Sequence, residues 1–466
     1  MSNDQTSAAF IREEFMKNII SLIILAASFL PLAVAAQDSV KPAGPIGKGD
    51  ILTLNRCIDI ALQQQPSITA ARSNIRVSEN KVGEAQSAYY PQLSAQGQYN
   101  RIKPVSSGSS SLSSGSSSLS SAGGSFGGSG ASSFDQYSAS ASLSQTIYDF
   151  GKTPAQVGIQ KLNLDASHSD LDTTRAQTIL SVKQAYYGVL QARRNLEVAK
   201  ETVAQFSQHL DQAKGFFEVG THPKFDVTKA EVDLSNAKLN LITAGNSLRI
   251  AQVTLNNAMG VPYAPEYAIE DSLAYLKKEI TMAQAIESSL NNRPEIQATD
   301  FRVKASEKSI DLAKTGYFPV ISGGAAYNRQ SGDTSFRQEG WNAGVVITLP
   351  IFSGFLTHHQ VQESIAATDA AKANFDSLKQ SVTLEVQQAF LNLRSAEERI
   401  PTAELGARQA AENLEIAAGR YSAGVGNPIE VTDAQIADTN AKTAYIQALY
   451  DYNVALANLD KSMGVR

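Results

Sequence analysis

Few residues in this chain could do chemistry. Its histidines are His168, His209, His222, His358 and His359, and its one cysteine is Cys57. His358 and His359 are adjacent on a helical stretch and face different ways, so they make poor joint ligands. His222 precedes Pro223 and reads as a solvated turn residue. A single cysteine excludes an internal disulfide framework and a cysteine-based zinc cluster. No glycine-rich phosphate loop is present, no catalytic constellation emerges, and neither cofactor nor metal is expected. The suggestive residues are carboxylates. Asn427-Pro428 can cap and open a helix, which puts Glu430 and Asp433, three apart, on one face of its first turn. Two readings fit them equally. Acids in a first turn complement the helix dipole. Around the axis of an oligomer they would instead form rings that favour cations and resist anions.

The elements that must position these acids are written twice. Leu52 to Tyr99 overlays Ile280 to Tyr327 at an offset of 228, bringing Pro66 onto Pro294 and Tyr90-Pro91 onto Phe318-Pro319. Leu143 to Val261 overlays Ile347 to Val465 at an offset of 204, bringing Met259-Gly260-Val261 onto Met463-Gly464-Val465. The change of offset falls at a Ser/Gly-rich tract, 106–133, which its composition marks as a flexible loop. This period is too long for a solenoid repeat. The first-copy counterpart of Glu430 is Asp226, and Lys229 stands in place of Asp433.

Each copy reads helix, strand, loop, strand, long helix, tight turn, helix. The expected boundaries are a first repeat over 37–261, an equatorial linker over 262–279 and a second repeat over 280–466. The long helices are expected over 151–214 and 355–418, each a rod of roughly 95 Å at 1.5 Å per residue. Val182, Val189, Leu196, Val203 and Leu210 recur every seven residues, and Val386, Leu393, Ile400, Ala407 and Leu414 repeat that seam. Such a stripe argues for coiled-coil packing. The companion seat (Ile179, Tyr186, Arg193, Lys200, Ser207) is only half apolar, which suits a helical wall with one wet face. Return helices are expected over 226–258 and 428–462.

Four short segments alternate strictly, about 92–101, 137–147, 320–329 and 341–349. Tyr137, Ala139, Ala141 and Leu143 share one face while the intervening serines share the other. Period-two alternation over about ten residues marks a transmembrane β-strand. Tyr99, Tyr137, Tyr327 and Trp341 cluster at the loop ends. Tyr89, Tyr90, Tyr148, Phe150, Tyr317, Phe318 and Phe352 cluster at the helix ends. Two aromatic belts a strand length apart fit the two interfaces of a bilayer. A soluble sandwich edge is the rival reading. Four strands cannot close a barrel, and an open edge in lipid leaves backbone groups unsatisfied. Several copies must therefore share one barrel.

The N-terminus carries Met16-Lys17, an apolar run from Ile19 to Val34, and small residues at Ala33, Ala35 and Ala36. That order predicts an export signal over 1–36, with Met16 as a possible functional start, rather than a retained anchor. The net charge of −5 gives no reason to expect a nucleic-acid partner.

With the duplication, the aromatic-proline joints and the tip motifs on the page, the chain resembles the TolC-like outer membrane efflux proteins of Gram-negative bacteria. The tip motifs are Phe217-Glu218-Val219-Gly220-Thr221 with Asp226-Val227, and Tyr421-Ser422-Ala423-Gly424-Val425 with Glu430-Val431. The resemblance covers about Leu52 to Val465. It implies a membrane α/β protein, a homotrimer whose four-stranded sheets close one barrel in outer membrane lipid and continue into a periplasmic helical barrel. It implies pore-constricting acids at Glu430, Asp433 and Asp226. It implies tip turns (Val219, Gly220, Thr221, Ala423, Gly424, Val425) that dock a periplasmic adaptor, or membrane fusion, protein. It places Gly426 where the family has a gate arginine, which puts the closed-state ion-pair lock in doubt. The implied activity is a passive exit duct of a tripartite efflux or type I secretion system. An inner-membrane pump of RND, ABC or MFS type would power it, and the cargo (drugs, metals or secreted protein) stays open. The alternative is a structural envelope-spanning coiled-coil protein without transport.

Overall fold

A computed structural model describes residues 46–47, 49–103, 133–333 and 335–465, all within one compact unit, 45–466. The expected export signal lies outside the described residues, as does nearly all of the Ser/Gly-rich tract.

Prolines set the joints. β1 (Ile51–Leu52) leads into α1 (Leu54–Gln64), whose first turn is capped by Thr53 accepting from the Arg56 amide at 3.3 Å. Pro66 ends α1, because it offers no amide donor, and opens α2 (Pro66–Gln86) at its first position. A 3₁₀ turn, Ser87–Tyr89, and Pro91 then turn the chain into β2 (Gln92–Ile102). β3 (Phe134–Tyr148) returns and α3 (Lys152–Glu218) descends. α4 (Lys224–Met259) climbs back to β4 (Ala268–Ile269), which pairs in parallel with β1. The second copy repeats the course. α5 (Met282–Asn292) has a Thr281/Gln284 capping box, and Pro294 opens α6 (Pro294–Lys314). β5 (Val320–Ser331), β6 (Gln338–Thr348), α7 (Leu356–Ser422) and α8 (Pro428–Ser462) follow. The long helices are 67 residues each, about 100 Å of rod; each starts one residue later than expected and runs four residues past its expected C-terminal end.

The sheet is antiparallel in the order β2-β3-β5-β6, so β2 and β6 are open edges among the described residues. Its register pairs Leu93 with Leu143, Tyr99 with Tyr137 and Tyr327 with Trp341, giving one apolar face. Ser94 and Ser142, partners on the other face, share a 2.8 Å hydrogen bond. An irregularity between Thr146 and Tyr148 brings Tyr148 opposite Ile321. Strict alternation would have put Tyr148 on the serine face; the bulge moves it to the apolar one.

Each strand-to-helix corner needs two consecutive left-handed residues. The first copy supplies Phe150 (φ 50°) and Gly151 (φ 95°), the second Gly354 (φ 62°) and Phe355 (φ 65°). One position per corner therefore carries the left-handed cost of an L-residue, roughly 1–2 kcal/mol. Phe150 offsets it by stacking on Phe318 at 5.8 Å and meeting Tyr148 edge-on at 4.7 Å.

Below the sheet, α2, α3, α6 and α7 pack side by side; toward the tips the order is α4, α3, α8, α7. The heptad seam is buried in the upper wall at Val182, Val189, Val386, Leu393 and Ile400. The companion seat is polar for a reason the periodicity alone does not supply. The Tyr186 hydroxyl donates to the Glu270 carbonyl at 2.8 Å, and Arg193 donates to the Ile269 carbonyl at 2.9 Å. That seat grips the equatorial linker; at Tyr186 it is fully buried rather than wet. Cys57 is buried nearby, and burial pushes its thiol up to about 12, so it stays an unreactive core residue.

The two Met-Gly-Val motifs now have a physical cause. Gly260 (φ 76°) and Gly464 (φ 72°) end α4 and α8 in the left-handed region. A Cβ on Gly260 would sit 2.9 Å from the Gln64 backbone, and one on Gly464 2.8 Å from the Asn292 backbone. Each glycine lets a returning helix abut the proline joint of its own repeat.

Candidate functional site: the hairpin tips and the membrane belts

Both tip turns fold by reusing the last carbonyls of a long helix. In the first, Thr221 donates its amide and its hydroxyl to the Phe216 carbonyl, at 3.0 and 2.9 Å. In the second, the amides of Val425 and Gly426 both donate to the Arg420 carbonyl, at 3.1 and 3.0 Å. Asn427 then caps α8, accepting from the Ile429 amide at 2.9 Å. Gly220 and Gly424 share φ 75°. Val219 and Val425 project at 73% and 72% exposure, and Thr221, Ala423 and Gly424 are exposed beside them. The tips thus present a small apolar knob on each hairpin.

Gly426 is fixed by contact. A Cβ there would lie 2.7 Å from the Tyr421 amide nitrogen and 2.9 Å from the Arg420 carbonyl carbon. No side chain, arginine included, fits this turn as folded. A cation nevertheless reaches the place from another position: Arg420 Nε lies 3.7 Å from Glu430 Oε2.

Glu430 and Asp433 are both exposed, while Val431, Thr432, Ala434 and Gln435 between and beyond them are buried. The two acids therefore share the solvent face of the first turn of α8. Asp226 does not join them. It is 7% exposed and its carboxylate lies 3.0 Å from His222 Nδ1. Within the chain Asp226 thus presents no free carboxylate, and His222, expected as a solvated turn residue, is instead packed against Phe216 and Tyr421. Lys229 is spent on Asp233, at 2.9 Å, and Asp233 also accepts from the Thr432 hydroxyl at 3.2 Å.

The cause is an aromatic cluster that joins the two hairpins. Tyr421, fully buried, touches His209 (5.0 Å between ring centroids), Phe216 (5.4 Å) and His222 (5.7 Å), and Phe216 stacks on His222 at 5.0 Å. Burial lowers the pKa of His209 and, with the Asp226 charge beside it, raises that of Tyr421. Sequence reasoning passed over Phe216 and Arg420, which no motif marks, and named His209 and Tyr421 without giving either a role in joining the hairpins. The available signal is that Tyr421 falls on Phe217 in the repeat, so one of the two aromatics must face the other hairpin.

The aromatic residues at the two ends of the sheet have these surroundings. At the loop end Tyr99 and Tyr137 pack at 5.0 Å, and Tyr327 is the register partner of Trp341, which is 79% exposed. Ion pairs lie two residues beyond. Arg101 meets Asp135 at 3.7 Å and Arg329 meets Glu339 at 2.9 Å, and each acid also accepts from a belt tyrosine, Tyr99 or Tyr327. At the helix end Tyr90, Tyr148, Phe318 and Phe352 are all exposed. Among the described residues no helix is long and apolar enough to cross a membrane, and no group of three His, Cys, Asp or Glu could hold a metal ion.

The family model described as "Outer membrane efflux protein" matches residues 57–261 and 285–465, the two repeats. The outer membrane protein TolC of Vibrio cholerae serotype O1 is 24% identical over 341 residues, covering 71% of this chain and 77% of that protein. The cobalt-zinc-cadmium resistance protein CzcC of Cupriavidus metallidurans is 22% identical over 457 residues, covering 96% and 100%. Among solved structures, CusC superposes with a TM-score of 0.73 at 17% identity, covering 89% of this chain and 92% of that one. The CmeC outer membrane channel of Campylobacter jejuni gives 0.72 at 19% identity, covering 88% and 85%. The sheet lies in the outer membrane and the helical wall in the periplasm: the chain belongs to the outer membrane efflux protein family, a family of channels.

Proposed function

We propose that three copies of this chain form one duct through the outer membrane, the exit of a tripartite efflux or type I secretion assembly. The observation that carries this is a single chain with two open sheet edges. In lipid, each unpaired backbone group on β2 and β6 costs several kcal/mol, so the edges must meet edges of other copies. The helices continue the demand. α4 exposes Val232, Leu239 and Val253 at seven-residue multiples, and α7 exposes Leu384, Leu391 and Leu405 in the same way. These are the two outermost helices of the tip half, and each carries an unpartnered coiled-coil stripe. Twelve strands and a continuous helical cylinder would satisfy both. The chain supplies no engine, so an inner-membrane pump of RND, ABC or MFS type would drive transport. A periplasmic adaptor would seat on the apolar knobs at Val219 and Val425.

Glu430 and Asp433 would ring the axis near the tips, with Arg420 as the adjacent cation; buried Asp226 supports the hairpin contact instead. Single-channel recording in planar bilayers tests the reading. The purified protein should conduct as an oligomer and prefer cations. Replacing Glu430 and Asp433 by Ala should reduce the K⁺/Cl⁻ permeability ratio several-fold and relieve block by polyvalent cations. A folded oligomer that never conducts, with or without these replacements, would leave a purely structural protein; unchanged selectivity would remove the acids from the pore.

A further inference from the structure

Charge lies along the sheet in a way that barrel closure does not explain. Each strand of the sheet carries one residue with an ionised side chain: Arg101 on β2, Asp135 on β3, Arg329 on β5 and Glu339 on β6. All of them lie at the ends away from the helices, and all lie on the apolar face. Arg101 follows Leu93 and Tyr99 at even steps, and Arg329 follows Ile321 and Tyr327; Asp135 precedes Tyr137 and Leu143, and Glu339 precedes Trp341 and Ile347. Side chains alternate across a strand, so even spacing means a shared face. The serine face would have offered these charges a watery lumen. On the lipid face a charge is costly at mid-membrane and tolerated only at the interface. The headgroup layer is therefore the place these side chains fit.

The charges form two matched clusters. Arg101 and Asp135 are register partners, with Nε 3.7 Å from Oδ1, and the Tyr99 hydroxyl donates to that same oxygen at 3.0 Å. Arg329 and Glu339 are register partners too. Arg329 donates from Nη2 and Nε to Glu339 Oε2, at 2.9 and 3.2 Å, and Tyr327 donates to it at 2.8 Å. The arginines keep donors to spare. Each guanidinium has five N–H groups; Glu339 engages two of them on Arg329, and Asp135 stands too far from Arg101 to accept a hydrogen bond. Both side chains are open, 67% and 42% exposed. Beyond the belt aromatics the cations Arg101, Lys103, Arg329 and Arg337 outnumber the acids Asp135, Asp333 and Glu339, and Asp333 is taken up by Ser331 and Ser335. This rim is net positive on a chain whose net charge is −5.

We propose that the Arg101 and Arg329 clusters bind the phosphomonoester groups of the outer-leaflet glycolipid, phosphorylated lipid A. The spare guanidinium donors suit the fork geometry of a phosphate. A phosphomonoester carries roughly −1.5 to −2 charges at neutral pH, enough to compete beside a carboxylate where a singly charged phosphodiester is not. Tyr99 and Tyr327 steady each acid, and the acid holds its arginine at headgroup height. Binding rests on the closed barrel proposed above and not on conduction. The rival role is a register clamp, in which the ion pairs only pin the strand ends. The two roles part over the acids: a clamp needs both partners, whereas a phosphate site needs the arginine and is opposed by the carboxylate's charge.

Native mass spectrometry of the full-length protein, in detergent micelles doped with bisphosphorylated lipid A, reads the lipid retained on the oligomer. Retention is expected for that lipid, and much less for dephosphorylated lipid A or for phosphatidylglycerol, a phosphodiester. Arg101→Gln and Arg329→Gln should each remove about half of the bound lipid, one cluster of the pair, and together nearly all of it. Asp135→Asn with Glu339→Gln keeps the oxygen acceptors without their charge and should leave retention equal or higher. Lys152→Gln, at the opposite end of the sheet, should change nothing. If the double arginine variant does not assemble, the single variants and the comparison of lipids on the unaltered protein decide. Equal retention of phosphatidylglycerol or of dephosphorylated lipid A would overturn the proposal. So would indifference to the arginine variants, or an equal loss in the acid variants, which would leave only the register clamp. An oligomer that retains no lipid A sinks the proposal alone; a spectrum of single chains sinks the shared barrel and the proposal together.

Discussion

The two proline joints have the same backbone and different chemistry. In the second repeat Arg293, 3% exposed, precedes Pro294 and lies 2.5 Å from both Glu295 and Glu385. Lys461 adds contacts of 3.1 Å to Glu385 and 3.8 Å to Glu295. The corresponding residues of the first repeat are Gln65, Ser67, Ser181 and Asn257, all uncharged. There Gln65 simply donates toward the carbonyls of Asn257 and Ala258, at 3.5 and 3.4 Å. The same contrast runs along the grooves below. Arg399 and Asp451, paired at 2.9 Å across the α7–α8 groove, correspond to Asn195 and Ser247 across the α3–α4 groove. The charged groove encloses about 600 Å³ and the neutral one about 910 Å³. Helix geometry is thus set by the shared apolar seam, the prolines and the glycines. The polar layer is free to differ, and here one repeat is clamped by ions while the other is left open.

The strongest way to break this comparison is to remove the central cation. Arg293→Met should destabilise the protein by about 1.5–3 kcal/mol, because it removes a buried cation's charge-assisted hydrogen bonding to two half-buried carboxylates. Gln65→Met should cost only about 1 kcal/mol, the worth of a neutral hydrogen bond. Urea unfolding of the two variants measures the difference, and equal losses would show that the ions add nothing. Acid should separate the repeats in the same direction. Burial works to raise the pKa of Glu385, but the Arg293 hydrogen bond and the charges of Arg293 and Lys461 outweigh it and hold the carboxyl below its ordinary value of 4.5. A depressed carboxyl stabilises the fold above its unfolded-state pKa and loses that contribution as pH falls through the folded one. The second joint should therefore loosen below about pH 4.5. Hydrogen exchange of α5 and α8 should rise there before that of α1 and α4, and Glu385→Gln should abolish the lag.

Gly260→Ala and Gly464→Ala probe what the repeats share. Each adds a Cβ under 3 Å from backbone at a left-handed residue, so each should cost about 1–3 kcal/mol. The expected result is near-equality, read as matching drops in thermal midpoint. A large gap between the two would mean that the ion network, not the backbone contact, seats the returning helix.

Much of this architecture is legible in the sequence because it rests on local or periodic rules. Strand alternation, the prolines at 66 and 294 and the seven-residue seam each act on their own neighbours. What escaped legibility depends on contacts between distant segments. The bulge that turns Tyr148 outward is fixed by pairing with β5. Offset arithmetic equates Asp226 with Glu430, yet one is buried and one exposed, because Tyr421 of the other hairpin covers only the first. His222 and Gly426 occupy the same repeat position. At Gly426 the turn lies against the Arg420–Tyr421 backbone; at His222 the amide reaches toward the Phe216 carbonyl at 3.4 Å and leaves room for a ring. His209, Gln435 and Asp438, buried polar residues of α3 and α8, share no motif at all.

The gentlest probe transplants chemistry rather than removing it. Asn195→Arg with Ser247→Asp would write the Arg399–Asp451 pair into the neutral groove. In the second repeat Arg399 is more than half exposed, so its pair belongs to the surface class, worth at most about 1 kcal/mol. The double variant should thus change the thermal midpoint by no more than a few degrees, and Arg399→Ala should cost as little. Conductance can move where stability does not. The neutral groove lies on the face of α3 opposite Tyr186 and Arg193, the residues that hold the linker, so in a duct with the linker outside it faces the lumen. Two charges added there leave the net charge of the wall unchanged but narrow this uncharged recess. Single-channel current should fall modestly while cation preference stays constant. A shift in preference instead would show that charge at mid-height, and not only at Glu430 and Asp433, sets selectivity.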